Sequence, residues 1–356
     1  MQMIEVDGSY REGGGQILRT ALSLSCLLQK PFRIYNIRKG RKRPGLMPQH
    51  LTCVRAAKLV SCALVRGDTI GSSELFFSPD ETRGGDYLFD IGTAGSTSLV
   101  LQTIIPPLFF SKTGKTMITI SGGTHVPFSP CYHYLADVFG SILKAIGIDI
   151  TLSIISYGFY PKGGGKVVAV INPSDRIKPL NLIERGTLLS LTGVSGVSNL
   201  PLSIAERQKD SFLKKFPFSV KSSICTIDIK LLNAPGPGQG TFLFLRSETE
   251  KTLGGFTSLG ARGKKAEAVG QEVAEEFHAY YSAGTALDPH LSDQIVLYLA
   301  MCSEGSVFST SCITEHLLTN LWAKGLFHEF AYDVEGNPGN PGTVRINQTG
   351  NNQTSQ

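Results

Sequence analysis

No two of the seven cysteines (26, 53, 62, 131, 225, 302, 312) stand at C-x-x-C spacing. That excludes a zinc ribbon and a dithiol redox motif, and an odd, scattered set reads as reduced core thiols of a cytoplasmic protein. Long apolar runs are missing too. The most apolar stretch, LVLQTIIPPLFF at 99–110, is too short to cross a bilayer and carries two prolines, so no membrane partner is expected. The first residues, MQMIEVDGSY, hold no basic region followed by an apolar one, so no secretory signal is expected. Charged residues are only 18% of the chain and hydrophobic residues 41%, the balance of a globular protein. A length of 356 residues allows a large core and two domains.

What is present is glycine and local positive charge. The 39 glycines are dispersed, which points to many tight turns rather than a low-complexity segment. The net charge of +5 permits a nucleic-acid partner without demanding one. Arg33, Arg38, Lys39, Arg41, Lys42 and Arg43 fall within eleven residues that contain no acid. Arginine forks match phosphate oxygens, and a fixed basic loop containing Pro44-Gly45 suits a polyanion.

Strand and helix signals alternate over residues 1–175. MIEV (3–6) and PFRIYNI (31–37) read as strands. Residues 14–29 read as a helix, with Ile17, Ala21, Leu24 and Leu28 on one face and Gln16, Arg19 and Ser23 opposite. Residues 49–65 read as a helix, and 74–79 and 86–91 as strands. A similar unit then opens at Ala94-Gly95-Ser96-Thr97, so a diverged repeat of roughly 80 residues is expected. Residues 183–275 read as an inserted smaller α/β domain; 1–182 and 276–348 form the large domain, and 349–356 a disordered tail.

Four segments carry candidate chemistry. EGGGQILRT (12–20) puts an acid, three glycines and an arginine at a helix start. Glycines are poor helix formers, so they serve either a tight turn or a close-approach phosphate site. In DPHLSDQIVLYLAM (288–301), Asp288 can cap and Pro289 can occupy the first helical position, with His290, Asp293 and Gln294 on one face. No second histidine follows at zinc spacing. In TEHLLTNLWAKG (314–325), His316 shares a face with Thr319 and Asn320; it is either a surface histidine or one whose tautomer is fixed for nucleophilic attack. Gln102, inside an apolar helix, needs a hydrogen-bond partner, whether backbone, water or ligand. The triple glycine of YGFYPKGGGKVV (157–168) fails as a P-loop, because Lys166 is followed by a strand-like run, and reads as a sharp turn.

Taken in order, EVDGSYREGGGQILRTALSLS, IRKGRKRPGLMPQHL, GTAGSTSLVLQT, SGGT, GFYPKGGG, LSDQIVL and EHLLTN resemble the RNA 3′-terminal phosphate cyclase family over most of residues 3–325. The fold implied is α/β (α+β type), repeated units of two helices on a β-sheet with an inserted smaller domain. The activity implied is ATP-dependent conversion of an RNA 3′-phosphate to a 2′,3′-cyclic phosphodiester, through a covalent histidine–AMP and an RNA-adenylate. By this resemblance His316 is the nucleophile. Gln102, Pro130, His290, Leu291, Ser292, Asp293 and Gln294 bind ATP, and Arg19, Arg38, Arg41 and Gln49 hold phosphates of ATP or the RNA end. Glu12 binds a divalent cation, Mg or Mn. Two positions depart from the family: His290 stands where a tyrosine is usual, and Tyr157 where arginine or histidine is usual. The competing readings are the catalytically inactive cyclase-like branch that serves ribosome assembly, an enolpyruvyl transferase built from similar repeats, and an RNA-binding module. Retention of Glu12, Arg19, Asp293 and His316 weighs against the first, the LSDQ and HLLTN segments against the second, and the local charge against the third.

Overall fold

Short β-rich runs followed by amphipathic helices set up a motif that recurs three times. The computed structural model describes residues 3–111, 113–216 and 226–347. The first unit comprises β1 (Ile4–Asp7), α1 (Gly15–Leu28), β2 (Phe32–Tyr35), α2 (Pro48–Val60), β3 (Leu64–Arg66) and β4 (Leu75–Ser78), in sheet order β1-β2-β4-β3. The second comprises β5 (Asp86–Asp90), α3 (Thr97–Phe109), β6 (Thr116–Gly122), a π-helical turn (Tyr134–Phe139) running into α4 (Gly140–Ala145), β7 (Asp149–Ser156) and β8 (Gly165–Asn172). Its order, β5-β6-β8-β7, repeats that of the first, and so does its pairing: one parallel pair followed by two antiparallel pairs. The expected duplication is therefore present as topology.

A third unit follows, split in two. It opens with β9 (Asn181–Leu182), and a separate sheet then intervenes: β10 (Leu188–Ser198), α5 (Ser203–Lys215), β11 (Thr226–Asn233), β12 (Gly240–Thr249), β13 (Leu253–Leu259) and α6 (Ala266–Ala283). The third unit resumes with α7 (Pro289–Leu299), β14 (Ser306–Thr310), α8 (Glu315–Phe327), β15 (Ala331–Glu335) and β16 (Gly342–Asn347), in sheet order β9-β14-β16-β15. The intervening sheet, β11-β10-β12-β13, builds its own core from Leu191, Phe212, Leu245, Val269 and Phe277. One larger core joins the three repeated units. Helices α1, α2 and α3 pack on one another, α1 packs on α8, and α8 on α7, so helix ends from all three units meet. No helix among the described residues is long and apolar enough to cross a membrane.

One expectation needs correction. The helix expected over 49–65 stops at Val60. The Ser61 hydroxyl donates to Ala57 O, Cys62 turns left-handed (φ +49°), and Leu64–Arg66 leaves as an edge strand beside β4. Apolar residues continue through the break, which hid it from a periodicity reading. On α1, Thr20, Ser23 and Ser25 are buried as well as the apolar stripe, because α1 is covered by neighbouring helices on several sides. The same holds for Thr319 and Asn320 on α8. The proposed tail at 349–356 and Cys225 lie outside the described residues.

Candidate active site

Helix α1 begins without a capping side chain. Gly14 occupies the N-cap, and Gly13 before it takes φ +59°, a conformation open to glycine. Gly15 has no room for a side chain: a Cβ there would lie 2.2 Å from His50 Nε2 and 3.1 Å from Arg19 Nη1. The glycines thus allow a buried imidazole and a guanidinium to close on the helix start. Glu12 stands at the same point. Its Oε1 accepts a hydrogen bond from Arg41 Nη2, and its Oε2 lies 2.6 Å from His316 Nδ1. Three residues far apart in sequence, from the β1–α1 loop, the basic β2–α2 loop and the start of α8, therefore meet.

The start of α8 is built to hold His316. Thr314 caps the helix by accepting from Leu317 N at 3.0 Å, and its hydroxyl donates to Asp293 Oδ1. Gln16 Nε2 donates to His316 O at 3.0 Å. Asn320 donates to Asp293 O and accepts from Thr20 Oγ1, both at 2.7 Å, which ties α8 to α7 and α1. Contact with the Glu12 carboxylate raises the His316 pKa above its ordinary value, against the effect of burial, and Asp293 adds to the rise. The same contact lowers Glu12, with Arg41 adding to it. Since Nδ1 faces Glu12, Nε2 is the ring nitrogen outside that contact. Burial pushes Asp293 up to about 7, opposed by Thr314 and His316.

Arg19 is half-buried beside His50. His50 sits in the first turn of α2, where its Nδ1 accepts from Met47 N at 3.3 Å. Burial, then the charges of Arg19 and Arg38, pull it down to about 3, so it is a neutral imidazole with its proton on Nε2. Sequence reasoning missed this residue; its only signal was a histidine following Pro48-Gln49 at a helix start. Arg38 donates through Nη1 to Arg43 O (2.8 Å) and Gly45 O (2.9 Å), bracing the basic loop from inside. Gln49 Oε1 accepts from Ser96 N at 2.8 Å, joining the first unit to the start of α3. Further along α3, half-buried Gln102 donates through Nε2 to Gln294 Oε1 at 2.7 Å, so its partner is another candidate residue.

The start of α7 carries the remaining candidates. Asp288 Oδ1 caps it, accepting from His290 N (3.0 Å), Leu291 N (2.9 Å) and the Tyr134 hydroxyl (2.8 Å). Gly255 N of β13 donates to Asp288 Oδ2 at 3.3 Å. His290 is exposed, its ring edge-on to Tyr134 at 6.3 Å between centroids. Leu291 is a core side chain, and the Ser292 hydroxyl donates to Pro289 O and contacts Thr310 Oγ1. Pro130 lies half-buried in the loop before the π-helical turn. Tyr157 is buried, with its hydroxyl 3.2 Å from His133 Nε2.

No group of three or more His, Cys, Asp or Glu among the described residues could enclose a metal ion. Glu12 is a half-exposed carboxylate already balanced by Arg41 and His316. One carboxylate fits a magnesium-type ion whose other ligands come from nucleotide phosphates and water, rather than an all-protein cage.

The family model described as RNA 3′-terminal phosphate cyclase matches residues 10–334. A Staphylothermus marinus protein named RNA 3′-terminal phosphate cyclase is 42% identical over 356 residues, covering 98% of this chain and 99% of its own. Proteins of the same name from Thermococcus kodakarensis (42% identical, 97% of this chain and 98% of its own) and Methylococcus capsulatus (41%, 97% and 97%) are similarly close. Glu12, Arg19, Arg41, Asp293 and His316 all fall inside the matched range. The chain belongs to the RNA 3′-terminal phosphate cyclase family.

Proposed function

We propose that this protein converts the 3′-phosphate end of RNA to a 2′,3′-cyclic phosphodiester at the expense of ATP, with His316 as nucleophile. The observation that carries this reading is the meeting of Glu12, Arg41 and His316 at the uncapped start of α1. His316 Nε2 attacks the α-phosphorus of ATP. A P–N bond forms, the bond to the β-phosphate oxygen breaks, and diphosphate leaves with the electron pair. Glu12 holds the proton on Nδ1 and stabilises the imidazolium-like product. An oxygen of the RNA 3′-phosphate then displaces the imidazole and takes the AMP. The neighbouring 2′-hydroxyl finally attacks the 3′-phosphorus, closing the ring and releasing AMP.

On this reading Arg19, Arg38, Arg41 and Gln49 hold phosphates, and Gln102, Pro130 and the His290–Gln294 run hold the nucleotide. Glu12 is the residue that would hold a divalent cation, magnesium or manganese, which when bound would supply charge neutralisation for diphosphate departure. Neutral His50 adds an N–H donor between Arg19 and Arg38. His290 replaces the usual tyrosine as a flat stacking surface. The reading includes a division of the chain at 183–275, whose last helix runs on to Ala283, and a cytoplasmic location. The test is direct: wild-type protein, ATP, a divalent cation and a 3′-phosphorylated RNA give a phosphatase-resistant cyclic end. Adenylylated protein with no cyclic end would refute the assigned acceptor.

A further inference from the structure

Phe128 is fully exposed, the most exposed large apolar side chain among the described residues. Its backbone takes φ +61°, a conformation disfavoured for a bulky residue. The rest of its loop is held firmly. Tyr132 N donates to Thr124 O at 2.9 Å and the Ser129 hydroxyl to Val126 O at 3.0 Å, while His125, Val126 and Cys131 are buried. A pinned loop therefore carries a strained residue with its ring in water. Exposure forgoes the gain of burying a large apolar ring, and the left-handed backbone adds strain. Such outliers gather at ligand sites.

The position of the loop indicates which ligand. Thr124 N and His125 N both donate to Gly158 O, and His125 pairs with Phe159, so the loop lies along the 157–164 turn. That turn presents Tyr160, which is also largely exposed, next to Lys162. Gly163 of the same turn packs so closely on Thr93 O and Ala94 that a Cβ there would lie 2.8–3.0 Å from them. Phe128 and Tyr160 thus stand on adjoining loops, and the Tyr160 turn abuts the segment leading to Ser96, whose N–H donates to Gln49 just after the basic loop. Aromatic faces beside cationic groups suit unpaired nucleotides: bases stack on the rings while the charges follow the backbone.

We propose that Phe128, with Tyr160, is a stacking platform for the bases of the RNA strand that leads into its 3′-phosphate. This rests on the cyclase reading above. It accounts for a sequence-tolerant grip on single-stranded ends, since every base offers a π-face to a ring.

The test measures affinity and turnover separately. Binding of a labelled 3′-phosphorylated oligoribonucleotide is followed by anisotropy for wild type, Phe128→Ala, Phe128→Trp and Tyr160→Ala. Cyclic-end formation and the KM for ATP are measured alongside, and melting curves check folding. Phe128→Ala should weaken RNA binding about ten- to a hundredfold and leave the KM for ATP unchanged, and Phe128→Trp should restore binding. An RNA with abasic residues next to its 3′ end should bind wild type as weakly as intact RNA binds Phe128→Ala, with no further loss in the variant. Equal binding of intact RNA by wild type and Phe128→Ala would overturn the platform, even while wild type forms cyclic ends and the cyclase reading stands. A rise in the KM for ATP with RNA binding unchanged would also overturn it, by assigning the ring to the nucleotide.

Discussion

The first helix of each repeated unit starts in a different way. In the second unit, α3 is capped by Ser96, whose hydroxyl accepts from Leu99 N at 3.3 Å. In the third, α7 is capped by buried Asp288, which also anchors Tyr134 and Gly255. In the first, α1 has only Gly14 at the N-cap and no side-chain cap. A cap satisfies the free N–H groups of a helix start and closes it to other partners. Its absence leaves α1 open, and the space is lined by Glu12, Arg19, Arg41, His50 and His316. One topology thus gives two helix starts closed by a side-chain cap and one left open, and the residue at the N-cap separates them.

Substitutions test that difference. The largest effect is expected at Gly15. Gly15→Ala sets a Cβ 2.2 Å from His50 Nε2, which must shift, and crowds Arg19. Adenylylation should fall about a hundredfold with no loss of melting temperature; unchanged kinetics would show that the tight fit around Gly15 is incidental. Asp288→Ala should behave in the opposite sense. It removes the acceptor for His290 N, Leu291 N, Gly255 N and the Tyr134 hydroxyl, and should cost about 3 kcal/mol in denaturant unfolding. A loss below about 1 kcal/mol would contradict its anchoring role.

A smaller, directional effect is expected from Glu12→Gln. Because Glu12 raises the His316 pKa, the protonated and non-nucleophilic ring persists to higher pH than for a free histidine. Adenylylation therefore rises with pH through that raised value. In the residual activity of Glu12→Gln this acid limb should move to lower pH. A limb that stays in place would mean that Glu12 does not set the titration of His316.

Periodicity and turn chemistry made much of the first two units legible. The helix over 14–29 was readable, because apolar spacing and flanking breakers agree there. That the later helices and strands form a third unit was not legible, since its opening strand is only Asn181–Leu182 and the whole smaller sheet separates that strand from α7. β14 (SVFST) and β13 were also unread: short runs between glycines carry little period. In the site, motif order brought out Glu12, the arginines and His316. No pattern in one sequence reveals that His50 lies against Gly15, because that contact exists only once α2 packs beside α1. Nor does it reveal that Gln102 and Gln294 bond to each other across the second and third units.

The central claim is that the open start of α1 and the start of α8 form one nucleotidyl-transfer site with His316 at its centre. Incubation with ATP labelled at the α-phosphate and a divalent cation, followed by peptide mapping, tests it most directly. The account predicts a single acid-labile AMP on His316, absent from His316→Ala, with both proteins melting at the same temperature. Equal labelling of the variant, or a label mapped to another residue of the wild type, would contradict it.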